Sequence, residues 1–136
     1  MNKQAKTRVC ITCGAHDMEH DTRNESFEYK GQSLLIPSVS GWFCRHCGEA
    51  YLDDAAAYSK AISAFAKQVD LQEAKTLARV RRKLKLTQHE AAMLTGGGPN
   101  AFSRYENGKA KPMPAIINLF KLLDLHPDLL NELRKA

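Results

Sequence analysis

The sequence predicts an α+β protein of two domains, a small β/α domain over residues 1–69 and an all-α domain over residues 70–136. Residues 26–44 are rich in β-branched and aromatic side chains, which favour strands. Beyond residue 70, apolar residues recur at helical spacing between short joints. A chain of 136 residues can bury one ordinary core, or two small ones if something supports the smaller.

The β-rich segment is interrupted at Lys30–Gly31 and at Ser40–Gly41, so we expect two or three short antiparallel strands. A helix should follow, with Asp53 as its N-cap. Its apolar stripe consists of Tyr58, Ile62, Phe65 and Val69. This helix, or the stretch Val69–Glu73, is the expected hinge between the domains.

Short helices are predicted for the second half, over residues 71–84, 86–95, 100–106, 115–125 and 127–135. Thr87 and Glu90, three residues apart, form a capping-box pattern at the start of the second of these helices. Gly96–Gly98 end it, and Pro99 suits the first position of the next.

Composition and charge narrow the functional class. Hydrophobic residues make up 43% and charged residues 26% of the chain, as in soluble globular proteins. No run of eighteen apolar residues predicts a membrane span, and the start lacks the apolar segment of a secretory signal, so we expect a cytoplasmic protein.

The excess of positive over negative charge is confined to the second half of the chain. Residues 1–66 carry seven Lys or Arg and eight Asp or Glu, whereas residues 67–136 carry thirteen and seven. A basic domain favours a polyanionic partner, most simply nucleic acid, although a solvated basic helix face gives the same pattern.

All four cysteines lie in two short motifs, CITCG with Cys10 and Cys13 and CRHCG with Cys44 and Cys47. Two C-x-x-C pairs are the pattern of a tetrahedral Cys₄ zinc site. The residues between the pairs hold the predicted strands, so the domain should resemble a zinc ribbon. We expect one structural Zn²⁺ per chain.

Other interpretations of the cysteines fit less well. Disulfides are disfavoured without an export signal, and a thioredoxin-like redox motif needs only one pair in a βαβ context. Four thiolates leave no open position for a catalytic water. Structural zinc contributes roughly 10–16 kcal/mol to folding, which suits a domain with a small core.

The helix after the triple glycine has two distinct sides. At 100° per residue, Phe102 and Tyr105 share one side, while Asn100 and Arg104 lie on the opposite side, with Ser103 near them. Arg and Asn are side chains that read guanine and adenine in the major groove. The spacing fits a helix-turn-helix, although Asn100 as a plain cap and Arg104 as a solvated side chain would give the same pattern.

Residues 86–112 resemble the helix-turn-helix of XRE/Cro-type bacterial regulators in their Leu-Thr-Gln opening, their Ser-Arg-x-Glu-x-Gly close and the proline downstream. From Cys10 to about Arg134, the chain resembles MqsA-type antitoxins, also called YgiT-type zinc-finger antitoxins. The resemblance implies a zinc domain that neutralises a toxin, typically an mRNA-cleaving ribonuclease. It also implies a C-terminal domain that dimerises, binds a palindromic operator and represses its own operon.

The resemblance also implies roles for individual residues on double-stranded DNA. Asn100 and Arg104 would contact bases. Residues expected to contact phosphate are Thr87, Gln88, Ser103, Lys109, Lys111, Arg81 and Arg82. For Thr87 and Gln88 the contact is expected through both backbone and side chain, since a helix N-terminus favours anions.

The sequence is compatible with three functions. The first is a homodimeric type II antitoxin and autorepressor. The second is a stand-alone XRE-family transcription regulator with a zinc-stabilised sensor domain. An enzyme is the third, disfavoured because the triple glycine lacks the G-K-[ST] ending of a phosphate loop and no carboxylates form a catalytic motif. An adjoining open reading frame whose product co-purifies would favour the first over the second.

Overall fold

A computed structural model describes residues 7–136 and confirms the predicted α+β class. A three-stranded antiparallel sheet in the order β1-β2-β3 is followed by helices. The elements are β1 Met18–Tyr29, β2 Gln32–Cys44, β3 Ala50–Leu52, α1 Ala55–Lys83, α2 Gln88–Leu94, α3 Ala101–Glu106, α4 Pro114–Leu125 and α5 Leu129–Lys135. The chain forms two compact units, one ending at Ala66 and the other spanning Lys67–Ala136. None of the helices described is both long and apolar enough to cross a membrane.

The sheet is dominated by one long hairpin. Lys30 and Gly31, with φ of 49° and 77°, form the two-residue turn between β1 and β2. The prediction of a break at Ser40–Gly41 is wrong, because β2 continues through it. A Cβ on Gly41 would lie 2.6 Å from the carbonyl oxygen of Tyr51, so this glycine permits the close approach of β3.

Helix α1 runs without interruption through Val69–Glu73, so the stretch proposed as a hinge is helical. The physical reason is that residues 55–83 contain neither glycine nor proline. The predicted N-cap is also one residue off. The carboxylate of Asp54 accepts from the backbone N–H of Ala57 at 2.9 Å, whereas that of Asp53 lies 2.7 Å from the imidazole of His20.

The second unit has one apolar core to which α1, α2, α3, α4 and α5 all contribute. Its fully or almost fully buried residues include Leu77, Val80, Ala91, Ala92, Phe102, Phe120 and Leu123. The capping box at Thr87 and Glu90 is confirmed. Pro99 does not start α3 as predicted, since the helix begins at Ala101 with Asn100 as N-cap.

Candidate metal centre and nucleic-acid interface

The two cysteine motifs fold into matching knuckles. In the first, the N–H of Gly14 donates to the carbonyl of Cys10 at 2.8 Å, and in the second the N–H of Gly48 donates to that of Cys44 at 3.1 Å. The first cysteine of each knuckle is buried and the second is exposed. The two knuckles therefore have the same local fold, and together they bring four sulfur atoms close to one another.

The sulfur positions fit a tetrahedral zinc ion. Sγ of Cys10 lies 3.7 Å from that of Cys47, and Sγ of Cys13 lies 3.7 Å from that of Cys44. All four sulfur atoms lie within 4.8 Å of one another. Zn–S bonds of 2.3 Å give sulfur separations of roughly 3.8 Å in a tetrahedron, whereas a disulfide needs about 2.05 Å. The four cysteines are thus positioned to hold one metal ion.

The pKa values of the cysteine thiols also indicate that the four sulfur atoms act together as metal ligands. A hydrogen bond from the backbone N–H of Cys13 is the main cause that lowers the pKa of Cys10 to about 6. For Cys47, the N–H of Glu49 lowers the pKa, but burial and the neighbouring sulfurs outweigh it and raise the pKa to about 12. Sulfurs this close cannot all ionise without a cation, and Zn²⁺ would provide the balancing charge.

The core around the knuckles is small. Its buried members are Cys10, Met18 and Cys44, with Trp42 and Tyr51 packed against them. The metal site therefore takes the central place that an apolar core fills in a larger domain.

Helix α3 separates its two sides as its sequence predicts. Phe102 is fully buried, with its ring 5.6 Å from Tyr105 and 5.1 Å from Phe120 between centroids. Asn100 and Arg104 are exposed, and the Asn100 side chain makes no capping bond. The turn before α3 depends on Gly96, whose φ of 73° is rarely adopted by other residues.

The start of α2 is only partly available to a phosphate. The N–H of Thr87 donates to the carboxylate of Glu90 at 2.8 Å, so this backbone group is already paired within the chain. Its hydroxyl accepts from the N–H of Glu90 and can still donate. The Gln88 amide donates to Glu106 at 2.6 Å, and Ser103 is half-buried beside α3's exposed side.

Arg81 does not have the expected phosphate-facing position. Its side chain is only 11% exposed and forms an ion pair with Glu106, itself 8% exposed. It also donates to the carbonyl of Leu86 at 2.8 Å. These contacts engage the guanidinium within this unit, so Arg81 is left out of the phosphate contacts proposed below.

The remaining basic candidates are exposed. Arg82 and Lys109 lie at the surface, and Lys111 is 73% exposed with its ammonium 3.0 Å from Asp70. Asp70 itself is 20% exposed, so Lys111 forms an ion pair with a largely enclosed carboxylate while the rest of its side chain faces solvent.

Glu106 is a site residue that the sequence reasoning missed. Burial opposes its ionisation, but hydrogen bonds from Arg81 and Gln88 outweigh burial and hold its pKa below the ordinary value. Glu106 is the glutamate of the Ser-Arg-x-Glu string, but no residue near that string in the sequence shows that its ion-pair partner, Arg81, lies on α1.

Two comparisons with known proteins agree with this architecture. A family model described as the antitoxin component of a bacterial toxin-antitoxin system, MqsA, matches residues 8–134. The chain is also similar to Antitoxin MqsA of Escherichia coli (strain K12), with 36% identity over 129 residues that cover 92% of this chain and 98% of that protein. The family-model match runs from the first knuckle into the last helix, and the relative is covered almost completely; the chain therefore belongs to the MqsA family of antitoxins.

Proposed function

We propose that this protein is the antitoxin of a type II toxin-antitoxin system. Its zinc-holding domain, residues 1–69, neutralises a ribonuclease toxin, and its helical domain, residues 70–136, binds a palindromic operator and represses its own operon. Both tasks are carried out in the cytoplasm. Membership of the MqsA family supports a toxin partner. The alternative, a stand-alone regulator, predicts that no toxin co-purifies.

The side-chain arrangement of α3 is the observation that carries the DNA-binding proposal. Asn100 and Arg104 are exposed one helical turn apart, on a helix anchored by a fully buried Phe102. They are the proposed base contacts, since Arg pairs with guanine and Asn with adenine in the major groove. Proposed phosphate contacts around them are the Thr87 hydroxyl, Gln88, Ser103, Arg82, Lys109 and Lys111.

A palindromic operator requires a two-fold symmetric reader, so we propose a homodimer. Four cysteine ligands leave no open coordination position, so the proposed zinc ion is structural, one per chain. Neither proposed task requires a chemical step, and the protein acts by binding.

The test is binding of labelled DNA from immediately upstream of the gene, measured by fluorescence anisotropy at fixed salt. Arg104→Ala should cost about 1–3 kcal/mol, roughly 5- to 150-fold in affinity, and should relax selectivity at one base position. Lys60→Ala removes one exposed positive charge from the first unit and is the matched control, expected to bind as wild type. Unchanged affinity and selectivity in Arg104→Ala would refute the assignment of α3 as the reading helix.

A further inference from the structure

Among the residues that the structure describes, the first strand of the sheet has an outer side that is largely open. The strand order places β1 at the sheet edge, and β1 is 12 residues long. Within residues 7–136, its outer side is bridged only by Arg8, at Met18. Edge strands present backbone donors and acceptors that can pair with another chain.

The hydrogen bonds at the two ends of β1 show which of its residues direct their N–H and C=O groups away from β2. The N–H and C=O of Met18 bond to Arg8, so they point outward. Tyr29 flanks the two-residue turn opposite Gln32, so its groups point inward to β2. Alternation from either end gives the same answer: the even-numbered residues from His20 to Glu28 direct their N–H and C=O outward.

The other open edge of the hairpin is protected, whereas β1 beyond Met18 is left uncovered by the residues that the structure describes. Beyond the part of β2 that pairs with β3, β2 carries Pro37 and a bulge in which Ser38 has a φ of 56°. Proline and bulges are common ways to prevent edge pairing. β1 has no proline, and the register shift near Arg23 and Glu25 places the extra residue in β2.

Charge indicates which partner suits this edge. β1 carries Glu19, Asp21, Glu25 and Glu28 against the single basic residue Arg23. Glu25 and Glu28 take part in no ion pair among the residues that the structure describes. Two copies of β1 would repel each other, whereas a cationic strand would be attracted. Leu35, 64% exposed and opposite Ser26, adds an apolar contact beside the edge.

We propose that the outer edge of β1 is the docking site for the toxin, which adds an extended, cationic strand to the sheet. This inference rests on the proposed function. A ribonuclease must carry cationic groups to bind RNA phosphates, so its surface complements an acidic edge. Main-chain hydrogen bonds to the even-numbered residues supply the pairing, as in other strand-addition complexes.

Proline at Ser26 tests the backbone pairing directly. Ser26→Pro removes an outward N–H without breaking a bond to β2, while Ser26→Ala keeps the N–H and removes only the hydroxyl. The probe is the purified product of the open reading frame adjoining the gene, titrated against the full-length zinc-loaded protein by calorimetry. We expect Ser26→Pro to bind at least tenfold more weakly and Ser26→Ala to bind within twofold of wild type. Equal zinc content and circular dichroism in both variants establish that the fold is intact.

Charge reversal and amide exchange test the same edge independently. Glu28→Lys should weaken binding more than the control Glu132→Lys, which makes the same charge change at an exposed position of α5, away from β1 and from the cysteines. The amide of Ser26 should exchange rapidly in the free protein and be protected in the complex. Protection already present in the free protein, or equal affinities of Ser26→Pro and Ser26→Ala, would overturn the edge assignment alone. Failure of the wild type to bind the probe would instead overturn the proposed toxin-antitoxin function, and this inference with it.

Discussion

Arg81 and Arg104 carry the same charge in opposite environments. Arg81 is enclosed by Glu106 and the carbonyl of Leu86, whereas Arg104 is exposed on α3. Their neighbours therefore determine what each can bind. An enclosed, paired guanidinium stabilises the fold, and an exposed one on a rigid helix is available to a ligand.

The proposed phosphate contacts should differ from the base contacts in their salt dependence. We expect Lys109→Ala to weaken binding to operator and unrelated DNA by similar factors, because a phosphate contact is independent of sequence. The slope of log K against log salt should become shallower by about 1. Titrations at several salt concentrations on both DNAs check this, and a loss confined to the operator would show that Lys109 contacts a base.

Asp124 makes the stability of the helical unit depend on pH. Hydrogen bonds from Arg79 and then Lys83 lower its pKa to about 2. Since the unfolded value is about 3.9, its contribution is complete above that pH and is lost as the pH falls through 2. We expect Asp124→Asn to lower the urea midpoint at pH 7, with the difference shrinking between pH 4 and pH 2. Circular dichroism at 222 nm measures it, with the exposed Asp128→Asn as control. An equal difference at both ends of that range would contradict the pKa assignment.

At the scale of elements, a buried polar cluster links three helices. Glu106, at the end of α3, accepts from Arg81 of α1 and from Gln88 of α2. The cluster therefore fixes where α3 lies against its neighbours, and α3 carries the proposed base contacts.

Breaking this cluster should be costly. Glu106→Gln leaves the enclosed Arg81 without its counter-charge, and we expect a loss of about 3–5 kcal/mol in the free energy of unfolding. The double variant Arg81→Met with Glu106→Leu removes both charges and should be more stable than the single variant. Urea unfolding of the set measures this, and a loss below about 1 kcal/mol in Glu106→Gln would show that the pair contributes little.

Elements with a local signature could be predicted from the sequence. The C-x-x-C spacing of each knuckle, the capping box at Thr87 and the two sides of α3 each depend on residues at most five positions apart, and the repeat of the C-x-x-C motif then predicts the four-cysteine site. The fold class followed from these signals together.

Features that depend on distant partners could not be predicted. β1 begins at Met18 although residues 19–24 show no apolar alternation, because the β1 side chains on both faces of the sheet are exposed there. Gly41 resembles a turn residue until β3 is placed beside it. Likewise, Arg81 belonged to a basic run in the sequence, and only the packing of α1 against α3 shows that it is enclosed.

At the scale of the whole molecule, the two units differ in net charge and in what stabilises their folds. The first is close to neutral and has four cysteines positioned to hold a metal ion beside a small core, whereas the second carries the excess positive charge and has a core of its own. This division underlies the central claim that a zinc-held domain binds the toxin while a helical domain binds DNA.

Zinc removal in a three-component complex tests that claim most directly. The full-length protein is bound to labelled operator DNA and to the labelled product of the adjoining reading frame, and a high-affinity zinc chelator is added. We predict that the toxin dissociates and the Trp42 fluorescence changes, because only the first unit contains metal ligands, while the anisotropy of the DNA is retained. Release of both partners together, or retention of the toxin after the zinc has left, would contradict it.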